Sequence, residues 1–267
     1  MKIEVLYSEV ANLYGDLYNI NYLAKCLPNV KVHYTNLNVT PLFVNHKVDL
    51  IYMGPMMENH QKIVIEKLLP YKDRIKELIE NNVIFLICGN ALEIFGSKID
   101  DINGLNIFDY YSKRDFSYHH HSCFIGEYKN KKIVGFKSQF SMTYNNKYPF
   151  IKKISGYGLS KDDLYEGVLY KNFIATYLIG PFLICNPYFT KCLLKLLGQN
   201  DKLLYEKDLI KAYNVRVNEF LDDRMKYWFS LLKNVKYNCK FVIICNYVSL
   251  TVGWLWDIWV KQPSPCH

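Results

Sequence analysis

Apolar residues fall along this chain in short blocks whose spacing changes from one block to the next. KIEVLY (2–7) has the pattern of a short strand and runs into the turn NLYGD. INYLAKCL (20–27) has helical spacing, and VKVHYTNL (30–37) alternates as a strand does. VDLIYMG (48–54) predicts a buried strand that stops at Gly-Pro. Residues 58–81 predict an amphipathic helix interrupted near Pro70, because proline removes a backbone donor and clashes with the preceding turn. VIFLICG (83–89) predicts a second buried strand, and NALEIFGSKI the helix after it. Strands that are apolar on both faces and alternate with helices imply a mostly parallel sheet flanked by helices, an α/β fold.

From about 105 to 178 the blocks shorten and are separated by Gly, Asn and Lys: KKIVGFKS, ISGYGL and GVLYKNFIATYL. This predicts a mixed or antiparallel extension of the same sheet. Helices are expected over 187–198 and 203–233. The expected domain therefore spans 1–235, followed by an apolar, Trp-rich tail over 236–267. Within the tail, residues 241–260 form a twenty-residue, mostly apolar run between Lys240 and Lys261, about the length that crosses a bilayer. Asn246 and Asp257 are costly in lipid, so packing on the domain is the default expectation and membrane contact the alternative.

With 267 residues, half of them hydrophobic, the chain has enough apolar surface for a sizeable core. Its formal net charge of +8 is spread through the sequence and forms no basic arm, so nucleic-acid binding is not expected. The eight cysteines contain no CxxC pair, and the first strand begins at residue 2 without a leader pattern. Free thiols in a reducing cytoplasm are the expectation. The sequence has no GxxxxGK[ST] loop to bind nucleotide phosphates.

Candidate chemistry gathers at the end of the second buried strand. Cys88 is followed by Gly89 at a strand-to-helix turn, a place where enzymes present a nucleophile. A nucleophilic cysteine must ionise, which requires a base or a positive field, and the N-terminus of a following helix would supply part of that field. An oxyanion hole would need the Gly89 N–H and a second N–H, for which the loop after VDLIYMG, at Gly54, is placed. The competing expectation is a buried structural thiol.

The order of these landmarks resembles class I glutamine amidotransferases of the cobyric acid synthase type, in particular the glutaminase subunits of lipid II isoglutaminyl synthases. The stretches that carry the resemblance are NLYGDLYN (12–19), DLIYMGPMMENHQ (49–61), FLICGNALEIFG (85–96), GLNIFDYYSKR (104–114), IVGFKSQ (133–139) and EGVLYKNFIATYLIGPFL (166–183). The resemblance implies a flavodoxin-like sheet, no cofactor, and Cys88 as the nucleophile that forms a thioester with glutamine. It also implies that the ammonia passes to a partner, a Mur-ligase-like or other ATP-dependent amidoligase subunit.

The general base implied by the resemblance is a histidine between Leu178 and Gly180, and here that position is Ile179. Isoleucine can neither accept the thiol proton nor return one to leaving ammonia, a loss of about 10²–10⁴ in rate. The oxyanion loop reads Met53-Gly54-Pro55-Met56, and Pro55 has no N–H. The second elbow glycine is Asn90, and Ser138-Gln139 stands where relatives carry Asn-His. A degenerate glutaminase subunit that acts by docking is therefore expected, the alternative being an active glutaminase with a non-standard base. His119, His120 and His121 are the candidate substitutes, with His60 after the oxyanion loop. In a strand His119 and His121 would share one face and His120 the other. Three adjacent histidines do not converge on one ion, so no metal site is expected. Asp16 matches the family's first-loop acid, although an Asp at that place is by default a helix N-cap. Asp222, Asp223 and Arg224 are expected to form a solvated helix face.

Overall fold

A computed structural model describes residues 1–222, and Met1–Leu221 form one compact unit. Its strands in chain order are β1 (Lys2–Leu6), β2 (Lys31–Thr35), β3 (Leu50–Met53), β4 (Ile84–Cys88), β5 (Lys98–Ile99), β6 (Ile102–Asn103) and β7 (Tyr111–Arg114), followed by β8 (His120–Tyr128), β9 (Lys131–Gln139), β10 (Ser141–Tyr144), β11 (Pro149–Ser155), β12 (Tyr165–Tyr170) and β13 (Phe173–Thr176). The helices are α1 (Tyr18–Cys26), α2 (Leu42–Asn45), α3 (Glu58–Leu68), α4 (Lys72–Glu80), α5 (Phe182–Cys185), α6 (Pro187–Leu196) and α7 (Glu206–Leu221).

Nine strands form the main sheet in the order β2-β1-β3-β4-β13-β12-β11-β8-β9. The pairs from β2 through β13 are parallel. Those from β13 through β9 are antiparallel. The parallel half with its mixed extension is the architecture expected from the apolar pattern. Side chains alternate across the sheet, so Phe85 and Ile87 enter one apolar core with Phe173, Ala175 and Tyr177. Leu86 and Cys88 enter the opposite core with Ile174 and Leu178. A second sheet, β10-β7-β5-β6, lies beyond the turn that follows β4.

The helix predicted over 58–81 divides at Pro70 as expected: α3 and α4 are joined by a 3₁₀ turn at Leu69–Tyr71. The helix predicted from NALEIFGSKI does not form. Gly89–Phe95 is a seven-residue 3₁₀ stretch, and Lys98–Ile99 is β5. Every residue from Gly89 to Phe95 is buried, so the segment has no solvent face. The Leu92 carbonyl, which an α-helix would give to residue 96, accepts instead from Tyr110 Oη at 2.7 Å.

The described helix α7 falls within the predicted 203–233. The domain boundary expected at 235–236, the apolar run 241–260, Asp223 and Arg224 lie outside the described residues. Among the described residues no helix is long and apolar enough to cross a membrane.

Candidate active site

β4 is buried along its whole length and ends in Cys88, whose φ of −115° and ψ of 150° are those of ordinary extended chain. The left-handed residue of the turn is Gly89, at φ +61°. A nucleophile elbow puts its sharp turn on the nucleophile and lifts that side chain into the open. Here the glycine takes the turn and Cys88 is 0% exposed. The Cys88 thiol lies against Asn19, whose Nδ2 is 3.9 Å from Sγ, and against the Asp16 carboxyl. Burial pushes the thiol well above its ordinary pKa, and the negative charge and hydrogen bond of Asp16 push it further. The helix field expected to favour a thiolate is also weaker than predicted, because only a short 3₁₀ segment follows.

Asp16 is not an N-cap. The helix N-cap position belongs to Leu17, and the Leu17 N–H donates to Asn12 Oδ1 at 2.9 Å. The fully buried Asp16 side chain turns inward, where the Tyr52 hydroxyl lies 2.7 Å from Oδ2 and 2.8 Å from the Asp16 carbonyl oxygen. Burial raises this carboxyl to about 6, opposed by the hydrogen bonds from Tyr52, Cys88 and Asn19. Asn19 fastens the arrangement: its Nδ2 donates to the Asp16 carbonyl at 2.9 Å and its Oδ1 accepts from Leu183 N–H at 2.8 Å.

The loop after β3 closes over the elbow. Gly54 has no room for a side chain, since a Cβ there would lie 2.8 Å from the Ala11 carbonyl oxygen. Pro55 packs on Gly89 so closely that a Cβ on Gly89 would come within 2.5 Å of Pro55 Cβ. Met56, the next possible main-chain donor, gives its N–H to Asn90 Oδ1 at 3.0 Å, and Asn90 Nδ2 returns a bond to the Met56 carbonyl at 2.7 Å. Behind Asn90, Gln61 Nε2 donates to the Asn90 carbonyl at 2.8 Å and to Glu93 Oε2 at 3.0 Å. Arg114, from the second sheet, donates to Gln61 Oε1. Glu93 is fully buried, accepts from Tyr177 Oη at 2.9 Å, and is raised by burial to about 7.

Residues 2–186 match the CobB/CobQ-like glutamine amidotransferase domain. The chain belongs to that family. It is 28% identical over 226 residues to the lipid II isoglutaminyl synthase (glutamine-hydrolyzing) subunit GatD of Staphylococcus aureus strain N315, covering 81% of this chain and 93% of that one. It is 26% identical over 234 residues to the GatD subunit of Streptococcus pneumoniae strain ATCC BAA-255 / R6, covering 79% and 87%. Among solved structures, a glutamine amidotransferase crystal structure matches with a TM-score of 0.52 at 11% identity, covering 73% of this chain and 98% of that one. The glutaminase domain of Trypanosoma brucei CTPS with bound acivicin matches with a TM-score of 0.50 at 9% identity, covering 77% and 98%. The two structural likenesses carry the fold alone.

In this CobB/CobQ-like domain the position expected to hold the base lies just beyond β13. Thr176, at the end of β13, is in register with Cys88, and the chain runs on through Ile179. Ile179 is 6% exposed and held by paired main-chain bonds to Phe136, 3.0 Å and 3.3 Å long. Its aliphatic side chain offers no proton acceptor.

The histidine triplet sits at the start of β8, with His119 and His121 on one face, their rings 4.0 Å apart, as the strand pattern predicts. His120 is buried rather than exposed, stacked on Tyr157 at 4.1 Å with Nε2 2.9 Å from Ser122 Oγ. His119 Nε2 lies 3.1 Å from Ser138 Oγ, which lies 3.0 Å from Tyr14 Oη in the first loop. Burial lowers the His119 pKa, which favours its neutral form. His60 lies on α3, where its Nδ1 is buried without a hydrogen-bond partner. Among the described residues no group of three His, Cys, Asp or Glu is placed to hold a metal.

A buried lysine and a buried glutamate that the sequence pattern barely signals lie behind the segment that leads to Ile179. Lys137 and Glu166 are both 0% exposed, with Nζ 3.7 Å from Oε1. Glu166 accepts from Thr176 Oγ1 at 2.7 Å and Tyr177 N–H at 2.8 Å, so the pair braces the chain leading to Ile179. Burial lowers Lys137 to about 8, against the pull of Glu166. The only sequence signal was a charged residue at an inward position of an alternating strand.

Proposed function

We propose that this chain is a glutamine amidotransferase-fold subunit that has lost glutaminase chemistry and works by docking to an ATP-dependent amidoligase, in amidation of a cell-wall precursor or a related acceptor. Glutamine hydrolysis needs a thiolate to attack the side-chain carbonyl carbon, a proton delivered to the departing ammonia, and water to cleave the thioester. The observation that carries the reading is the state of Cys88: fully enclosed and held as a thiol by burial and Asp16. The isoleucine at 179 removes the base, Pro55 has no N–H to donate, and the Met56 N–H is engaged by Asn90. The names of the relatives, each a subunit of lipid II isoglutaminyl synthase, support a ligase partner and a cell-wall acceptor.

The test is covalent labelling by an electrophilic glutamine analogue, read by intact mass and peptide mapping, with Cys88→Ala as control and with a Mur-ligase-like subunit added or omitted. The expected result is no labelling at Cys88 together with a stable complex on size exclusion. Specific labelling of Cys88 would overturn the loss of chemistry, and absence of a complex would overturn the docking.

One observation favours an active enzyme as the second reading. The His119–Ser138–Tyr14 chain joins a neutral imidazole to the loop that carries Asp16. Were it the base, His119→Gln would abolish analogue labelling while leaving the fold intact.

A further inference from the structure

We infer that Asn90 is a latch: its side-chain amide holds the loop after β3 shut over the Cys88 elbow, and access of any acyl ligand to Cys88 requires the Asn90–Met56 bonds to break. The inference concerns the site discussed under the proposed function and rests on the reading that this site is closed.

Three features of the geometry carry it. The Asn90 amide is used on both sides by one peptide unit's neighbours, accepting from Met56 N–H at 3.0 Å and donating to Met56 O at 2.7 Å. This double bond pattern crosses between loops 34 positions apart in the chain, so it fixes the separation of loop and elbow rather than the shape of either. The second feature is what the closed loop covers. With Met56 held, Pro55 stays packed against Gly89 on the side where a Cβ would project, closing that side of the turn next to Cys88. The third is the anchorage. The Asn90 carbonyl is fixed by Gln61, and Gln61 by Arg114 of the second sheet, so the latch residue cannot follow the loop outward. Asn90 itself is 9% exposed, and its amide, released from Met56, would keep only the long 3.4 Å bond from Nδ2 to Glu58 Oε1.

The experiment compares the full chain with Asn90→Gly and Asn90→Asp, reading amide exchange at Met56 by NMR and alkylation of Cys88 by iodoacetamide with peptide mapping. In Asn90→Gly both readouts are expected to rise about tenfold or more, the scale of two lost buried hydrogen bonds. In Asn90→Asp the Met56 N–H keeps its acceptor, so its exchange is expected to remain near that of the unmodified chain. A residue that merely supports the fold would raise exchange along β3 and β4 as well, whereas a latch confines the change to 54–57. The inference is overturned if Met56 exchanges in the unmodified chain as fast as its exposed neighbour Met57. It is equally overturned if Asn90→Gly folds and leaves Cys88 alkylation unchanged. Neither readout requires turnover, so a failed latch and a failed loss-of-glutaminase reading give different results: the first leaves alkylation flat, the second labels Cys88 with the glutamine analogue in the unmodified chain.

Discussion

The Tyr52 hydroxyl lies 2.7 Å from Asp16 Oδ2, and this buried pair is what the Cys88 thiol faces where a nucleophile would face a base. A carboxylate beside a thiol acts against ionisation twice: it repels the thiolate and stabilises the thiol proton by accepting it in a hydrogen bond.

Replacing Asp16 with Asn keeps an acceptor for Tyr52 and removes the charge. The pH at which Cys88 becomes reactive is expected to fall, but only part of the way to an ordinary thiol, because burial is the larger cause. The measurement is the pH profile of Cys88 alkylation in Asp16→Asn and the unmodified chain. An unshifted profile would show that the carboxyl does not sense the thiol.

Asp16 and Glu93 also make stability depend on pH in an unusual direction. Both carboxyls are raised on folding, to about 6 and about 7, from ordinary values of 3.8 and 4.5. The folded chain then holds their protons more tightly than the unfolded chain. Their contribution is complete below the unfolded values and is lost as pH rises through about 6 and then about 7. Urea unfolding at pH 4.5 and 7.5 is expected to show Asp16→Asn gaining relative to the unmodified chain at the higher pH, by on the order of 2 kcal/mol, because pH 4.5 already lies above the unfolded value. An equal difference at both pH values would refute the assignment.

The Lys137–Glu166 pair is buried at both ends, so breaking one side leaves a charge without a partner in the core. Lys137→Met is expected to destabilise by about 3–5 kcal/mol, and the double change Lys137→Met with Glu166→Gln by markedly less. Denaturant midpoints of the two variants decide it; additive costs would mean that the two charges do not interact.

Restoring the histidine alone is not expected to restore turnover. Ile179→His supplies a base, but Pro55 still covers Gly89 and Met56 is still bound to Asn90. Combined with Pro55→Gly and Asn90→Gly, it is expected to raise glutamine hydrolysis by about 10²-fold or more over the single variant. Ammonia release, with Cys88→Ala as the blank, is the assay. Full activity from Ile179→His by itself would show that the closed loop is no obstacle.

The alternating apolar blocks located the parallel strands, the split helix at Pro70 and the elbow at Cys88-Gly89, because strand and helix periods and proline geometry act over a few residues. The short 3₁₀ segment after Cys88 was not legible, since its form depends on a Tyr110 bond to Leu92 and on burial from every side. Asp16 read as an N-cap for the same reason: the alternative partner, Tyr52, lies 36 positions away.

The sequence by itself determined the family resemblance, the presence of a cysteine before Gly89 and of an isoleucine, with no proton acceptor, at 179, because residue identity alone decides whether a side chain can take a proton. Only the tertiary structure decided that Cys88 is enclosed, with burial and Asp16 both opposing its ionisation. Those properties come from desolvation and from contacts of Asp16, Asn19, Pro55 and Met56 with the elbow, partners brought together from separate loops by the packing of the sheet.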